Sequence, residues 1–363
     1  MIFPKLEFGK KSCKDAGVNK GLLVDMFNKI EEEKYNIHSM MLVHEGEKVF
    51  EAYAHDFGIE SSSNVYSVSK SFTSIAIGIL VDMNLINIDN FVLFYFNDEI
   101  KNYLPEYEKL RIRHLLTMTV GQESNQFSNI TPQSNPFEMF FNIPIVNEIG
   151  STFLYNNFAS FILSAIVTKV TGKSMNDFLN EYLYKKIGIQ KPSWSGINNY
   201  NFGYSGLNIT LQDMSRFGHL ILNDGVWNDE VIVSKKYLDQ ALTKQIIDSG
   251  TSRNYGYHFW VSKFIMAAGK YNQYIIIDKR YNIVFSIQAY DEREILGLYN
   301  NYIAKAFDKG WEYCEYSLRD FVRKFRYNSI PIIEKEKEER VVWFLKKIKE
   351  EFIDNASFFC YNT

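Results

Sequence analysis

Strand-like segments stand at both ends of the chain and helix-like segments fill its middle, an order that sharply narrows the choice of fold. At the front, residues 37–43 and 48–54 read as strands, and the glycine of His44-Glu45-Gly46-Glu47 between them suits a tight turn, which makes a hairpin. At the back, residues 255–263, 273–278 and 282–290 are rich in aromatic and β-branched side chains, with Asp278-Lys279-Arg280-Tyr281 fitting a hairpin link. Helical runs at 109–119, 158–171, 174–187 and 210–223 lie between, and residues 20–34 and 294–312 add helices beside the strands. Two ends that supply strands build one sheet, and the middle becomes a helical insertion. The expected architecture is α/β: a sheet domain from 1–84 and 255–314, a mainly helical domain from 85–254, and an active-site cleft between them. Residues 315–363 form a C-terminal extension. Within it, 334–352 carries Val341, Leu345, Ile348 and Phe352 among dense charge, an amphipathic helix that either packs on the body or docks a partner.

With 363 residues, 46% of them hydrophobic, the chain can bury a large core. Its 40 basic and 43 acidic residues are interspersed, which speaks against a nucleic-acid or anionic-membrane partner and for a small or neutral ligand. The N-terminal MIFPKLEFGKKSCKD lacks the apolar core of an export signal, and no run of about 18 apolar residues follows, so a cytoplasmic protein without a membrane span is expected. Cys13, Cys314 and Cys360 are too scattered for a disulfide framework. The six histidines show no metal-ligand spacing, and no phosphate loop, dinucleotide fingerprint or Gly-x-Ser-x-Gly elbow is present, so neither metal nor cofactor is expected.

The chemistry concentrates at residues 65–74, VYSVSKSFTS. Here a helical run over 67–83, with apolar Phe72, Ile75, Ala76, Ile79, Leu80 and Met83, begins in a cluster of hydroxyls around one lysine. Ser67-Val68-Ser69-Lys70 is the chain's Ser-x-x-Lys, and on a helix residues i and i+3 share a face. Two readings stand on these four letters. Ser67 caps the helix and Lys70 is a solvated first-turn residue; or Lys70, its pKa lowered by burial, takes the proton of a nucleophilic Ser67. Ser69, Ser71 and Ser74 lack a lysine at the same spacing and read as helix-face hydroxyls.

Further segments decide between these. Residues 66–82, then Arg113–Gly121 (similar to "HLLTMTSG", with Val120 for serine), Gly150–Asn157 (similar to "G-x-x-F-x-Y-x-N"), Val170–Ser174, Gly206–Thr210, Asp213 and Arg216–Gly218 follow one another in a familiar order. From about residue 35 to about 300 the chain resembles the serine hydrolase superfamily of class C β-lactamases, penicillin-binding DD-peptidases and their esterase and amide-hydrolase relatives. The resemblance implies the β-lactamase/penicillin-binding, transpeptidase-like fold, an antiparallel sheet flanked by helices with a helical insertion. It also implies a small-molecule ester or amide substrate, Ser67 as nucleophile, Lys70 and Tyr155 sharing the acid and base work, and Asn157 holding Lys70 and substrate.

The family's third element, Lys-Thr-Gly or His-x-Gly on the strand beside the nucleophile, is matched only by Ala267-Ala268-Gly269. Gly269 fits close backbone approach, and the resemblance makes the N–H groups of Ser67 and Lys270 the oxyanion donors. The cation and hydroxyl that grip a carboxylate are missing, which favours esters or amides without an anionic group there. Lys270 takes an anion only if it faces the site, and strand alternation leaves that open. Residues 255–260, YGYHFW, resemble the "YGYxWW" strand of the branch that includes 6-aminohexanoate-dimer hydrolases. These aromatics line an acyl pocket or fill the sheet core, and His258 is a structural or pocket-edge residue. A β-lactamase or DD-peptidase proper, and a non-catalytic ligand-binding protein on the same fold, are the alternatives.

Overall fold

The computed structural model describes residues 3–4, 7–123, 135–190, 192–310 and 316–328. The expected helix at 334–352, together with Cys314 and Cys360, lies outside them. Nine strands form the main sheet. In chain order they are β1 Gly9–Lys10, β2 Ile37–His44, β3 Glu47–Tyr53, β4 Ile246–Asp248, β5 Arg253–Tyr255, β6 Trp260–Val261, β7 Ile265–Gly269, β8 Gln273–Asp278 and β9 Ile283–Ala289. Across the sheet the order is β1-β3-β2-β9-β8-β7-β6-β5-β4, antiparallel except for the β1–β3 pair. The two ends of the chain meet at β2 and β9, where Met40 faces Ile287 and Leu42 faces Phe285.

The β2–β3 turn is Glu45-Gly46, with φ of 52° and 86°, the mirror-image turn that matches strand twist. One residue further on, Leu42 pairs with Phe50 and Val43 with Lys48, so Val49 is the extra residue of a β-bulge. The central strands are buried on both faces. Met41, Val43, Ile275, Ile277 and Val284 enter the core on the helical-insertion side. Met40, Leu42, Ile276, Phe285 and Ile287 enter the other core. That second core is covered by α1 (Lys20–Glu33), the segment Leu296–Asp308 and the helix Leu318–Asn328, whose Phe325 meets Phe27 at 6.1 Å.

On the first face lies α2 (Ser69–Asp82), flanked by α3 (Asn157–Thr171), α4 (Leu211–Leu222) and the short helix Lys235–Ala241. Every α2 residue from Ser69 to Leu80 is buried, so this helix is core on all sides. Phe72 stacks on Phe217 at 3.8 Å, and a Cβ on Gly78 would come within 2.5 Å of the Tyr237 ring. Truncation of such a phenylalanine to alanine costs about 3–5 kcal/mol.

Several boundaries differ from the sequence expectation. The helix expected at 67–83 begins at Ser69, and Ser67 sits in a preceding 3-10 turn, Tyr66–Val68. The strand expected at 255–263 is two, β5 and β6, because the chain reverses at Gly256–Phe259. There a Cβ on Gly256 would sit 2.1 Å from Ala241 O, and His258 takes φ of 59°. The main sheet resumes at Ile246, ahead of residue 255, through the short β4. The run expected at 109–119 shrinks to Ile112–Leu116, stopped by left-handed Met118. Among the described residues no helix is long and apolar enough to cross a membrane.

Candidate active site

Ser67 is presented by a strained corner. The Tyr66 N–H donates to Asn64 Oδ1 at 2.9 Å, and Tyr66 takes φ of 46°, a conformation costing a non-glycine residue on the order of 1 kcal/mol. The corner turns the chain from Val65, whose N–H donates to Leu207 O at 2.9 Å, into α2. Lys70 then falls one turn later, with its Nζ 3.1 Å from Ser67 Oγ.

Lys70 is 1% exposed. Besides Ser67, its Nζ donates to Asn157 Oδ1 at 2.9 Å and to the Tyr204 carbonyl at 3.1 Å. Neither acceptor is a carboxylate. A neutral amine has two N–H donors and one lone pair, so two acceptors plus one hydroxyl match it group for group. Burial drives the Lys70 pKa well below its ordinary value, with no counter-charge opposing the shift. The arrangement is that of a base poised on a serine hydroxyl.

Asn157 is the first residue of α3, which is capped by Asn156 through an Ala159 N–H at 3.1 Å. Tyr155, two residues earlier, lies beside Ser67, and its ring centre is 4.6 Å from Lys70 Nζ. Burial pushes its pKa up to about 12, opposed by the Ser67 contact, so the phenol holds its proton at neutral pH. The structure thus brings Ser67, Lys70, Tyr155 and Asn157 together.

Gly269, the last residue of β7, lies against the Ser67 corner. A Cβ there would come within 2.3 Å of Val65 O and 3.2 Å of Ser67 N, so a side chain would force the strand off the corner. Lys270 follows in the turn to β8, outside the ladder that pairs Gly269 with Gln273. Strand alternation therefore does not govern it. Its side chain is exposed and folds back, with Nζ 4.4 Å over the Tyr271 ring. Ala267 is buried and Ala268 half-buried, and neither offers a cation or hydroxyl.

The aromatic stretch 255–260 divides. Tyr255 and Phe259 are core, whereas Trp260 is half-buried and lies parallel to Tyr155, with centres 6.3 Å apart. His258 is buried rather than at a pocket edge. Its Nδ1 is 3.1 Å from Lys70 O and its own carbonyl accepts from Ser71 Oγ at 2.8 Å, so it ties the β5–β6 turn to α2. Burial, then the nearby Lys70, depresses its pKa to about 3 and keeps the ring neutral.

Tyr204 escaped the sequence reading because it contributes a backbone carbonyl, which any residue carries. Its loop is pinned by Thr73 Oγ1 donating to Gly203 O at 2.7 Å and Ser164 Oγ donating to Asn201 O at 2.8 Å. The visible signal was Gly203, at φ of 70° and with no room for a Cβ beside Ser160 O. Cys13 is buried and its thiol pKa is raised to about 11, which leaves it inert. Among the described residues no group of three His, Cys, Asp or Glu side chains could hold a metal ion.

The β-lactamase family model matches residues 28–294. The chain belongs to the β-lactamase family. It is 22% identical over 246 residues to the 6-aminohexanoate-dimer hydrolase of Paenarthrobacter ureafaciens, covering 61% of this chain and 60% of that protein. It is 23% identical over 260 residues to penicillin-binding protein 4* of Bacillus subtilis strain 168, covering 61% and 55%. The chain thus spans less than two thirds of the length of either relative. An octameric penicillin-binding protein homologue from Pyrococcus abyssi shares the fold, with a TM-score of 0.64 at 19% identity over 78% of this chain and 77% of that one. The family and these relatives are of the serine hydrolase kind, and the fold is the expected β-lactamase/penicillin-binding one.

Proposed function

We propose that this protein hydrolyses an ester or amide through an acyl-enzyme on Ser67. The observation that carries the reading is the company of Lys70 Nζ: two neutral acceptors and the Ser67 hydroxyl, deep in the protein. In the proposed reaction Ser67 Oγ bonds to the substrate carbonyl carbon as its proton passes to Lys70. The carbonyl π pair moves onto oxygen, stabilised by the N–H groups of Ser67 and Lys270. Collapse of that intermediate breaks the bond to the alcohol or amine, which leaves with a proton delivered through Tyr155. Water then attacks the acyl-enzyme by the same route and frees the acid. Asn157 and the Tyr204 carbonyl hold the two N–H groups of Lys70, so its lone pair is aimed at Ser67.

The substrate class follows from Ala267 and Ala268. With neither cation nor hydroxyl on that strand, a group without negative charge is favoured there, which weighs against a dedicated β-lactamase or DD-peptidase. The test is covalent labelling with a fluorophosphonate and, in parallel, with a fluorescent penicillin, each adduct located by peptide mass spectrometry. Labelling of Ser67 by the phosphonate alone is the expected result. Labelling by both would return penicillin-type amides to the substrate class. The whole reading fails if neither reagent reaches Ser67, or if Ser67→Ala keeps full turnover on p-nitrophenyl esters and anilides.

A further inference from the structure

Two strained tyrosines flank the proposed oxyanion donors. Tyr66, immediately before Ser67, has φ of 46°, and Tyr271, immediately after Lys270, has φ of 60°. Non-glycine residues seldom occupy this region, and when they do the surroundings must hold them there. Tyr66 is held by its N–H bond to Asn64 Oδ1, Tyr271 belongs to a turn in which Asn272 is left-handed too (φ of 65°), and the two rings meet. The Tyr66 ring meets the Tyr271 ring edge to face, with centres 5.4 Å apart and planes at 75°. Tyr290, just past β9, stacks beneath Tyr271 at 4.0 Å and 21°, and its N–H donates to Asn36 O at 2.9 Å beside β2. Lys270 Nζ sits 4.4 Å from the centre of the Tyr271 ring. The turn is pinned from below as well, since Asn272 Nδ2 donates to Asp291 O and Arg293 O, both at 2.7 Å.

We propose that Tyr66 and Tyr271 form an aromatic clasp that fixes the distance between the Ser67 and Lys270 N–H groups, with Tyr290 as its seat in the sheet. The inference rests on the proposed acyl-enzyme reading, which makes those two N–H groups the oxyanion donors. Gly269 sets how closely the two segments approach, because any Cβ there would collide with Val65 O and crowd Ser67 N. The β7–β8 ladder and the Asn272 bonds hold the turn within the sheet. The edge-to-face contact adds a link to the Ser67 corner, joining one residue before the first donor to one residue after the second. Edge-to-face aromatic pairs add attraction beyond their buried area, which biases one turn geometry. Tyr66 and Tyr271 are thus positioning residues, acting on the developing oxyanion through the backbone.

The clasp is tested on the full chain with p-nitrophenyl butyrate turnover and the rate of fluorophosphonate labelling at Ser67. Misplacing a catalytic group by about an ångström costs on the order of 100-fold. Tyr271→Ala is accordingly expected to lower kcat by roughly 10- to 100-fold and the labelling rate in parallel, with KM within about threefold. Tyr271→Phe keeps the ring and is expected to restore kcat to within about threefold of the parent. The double variant Tyr66→Ala/Tyr271→Ala is expected to lose no more than the worse single variant, since either change opens the same clasp. Should Tyr271→Ala fail to fold, Tyr66→Leu, which leaves the β7–β8 turn intact, carries the same expectation. An unchanged kcat in the alanine variants, a loss confined to KM, or a Tyr271→Phe variant as slow as Tyr271→Ala would each overturn the clasp. Failure of the unmodified protein to label at Ser67 would instead overturn the acyl-enzyme reading itself.

Discussion

Lys70 and Lys48 are both 1% exposed, yet their amines keep opposite company. Lys48 Nζ is 2.6 Å from Glu51 Oε2, and the other oxygen of Glu51 accepts from Tyr53 at 2.5 Å and from Gln212 Nε2 at 2.9 Å. Its charge has a counter-charge, and the network ties β3 to α4. Lys70 has a serine hydroxyl, an amide oxygen and a backbone carbonyl, and no counter-charge among them. Two lysines buried to the same depth are thus set up for different tasks. One closes a buried ion pair, and the other is the base of the proposed reaction. Depth of burial alone distinguishes nothing; the neighbours decide.

The contrast breaks most sharply on rate. Lys70→Met is expected to lower esterase turnover by at least about 10⁴-fold, the scale on which members of a nucleophile–base unit fail. Stability changes modestly, since no charge is stranded. Lys48→Met should do the reverse. It strands the Glu51 carboxylate, costing about 3–5 kcal/mol of stability in a denaturant titration, while kcat per folded molecule stays within about twofold.

A subtler variant makes one site resemble the other. Asn157→Asp puts a carboxylate beside Lys70, raising its pKa by roughly 1–3 units. The acid limb of the kcat–pH profile should move up by that amount, costing about 10- to 1000-fold just below it and recovering at high pH. An unmoved limb would mean that Lys70 is not the titrating base. The smallest effect is on stability against pH. The folded pKa of Lys70 is depressed, so between it and about pH 10.4 the unfolded chain binds the extra proton. Stability therefore climbs with pH across that window, by at most about 1.4 kcal/mol per unit. Lys70→Met should remove this slope and Lys48→Met should keep it.

The candidate site was legible in the sequence wherever side chains do the work. Ser67 and Lys70 could be singled out by residue type and helical spacing, and Tyr155 and Asn157 by the resemblance of the segment that holds them; the structure brings the four together. The third neighbour of Lys70 was marked only indirectly, by Gly203 one residue before it, because a carbonyl leaves no mark on residue type. The Lys48–Glu51 pair was hidden for a geometric reason. Residues three apart on a regular strand face opposite sides, and only the bulge at Val49 brings these two to the same face. In the fold, the long strands and α2, α3 and α4 announced themselves by composition and period. The two-residue β6 and three-residue β4 did not, being too short for any periodicity to show.

The pairing of β2 with β9 also sets a clock. Residues 37–44 have no central neighbour until residues 283–289 have been made, so most of the chain must emerge before the middle of the sheet can zip. Until then the apolar flanks of β2 and of α2 stand open to solvent and to other nascent chains. Contacts of such long sequence separation slow the search for the native state. Refolding from denaturant should accordingly be slow and should lose yield as protein concentration rises. Any truncation upstream of residue 283 should leave the hairpin edge of β2 bare and the product prone to aggregate.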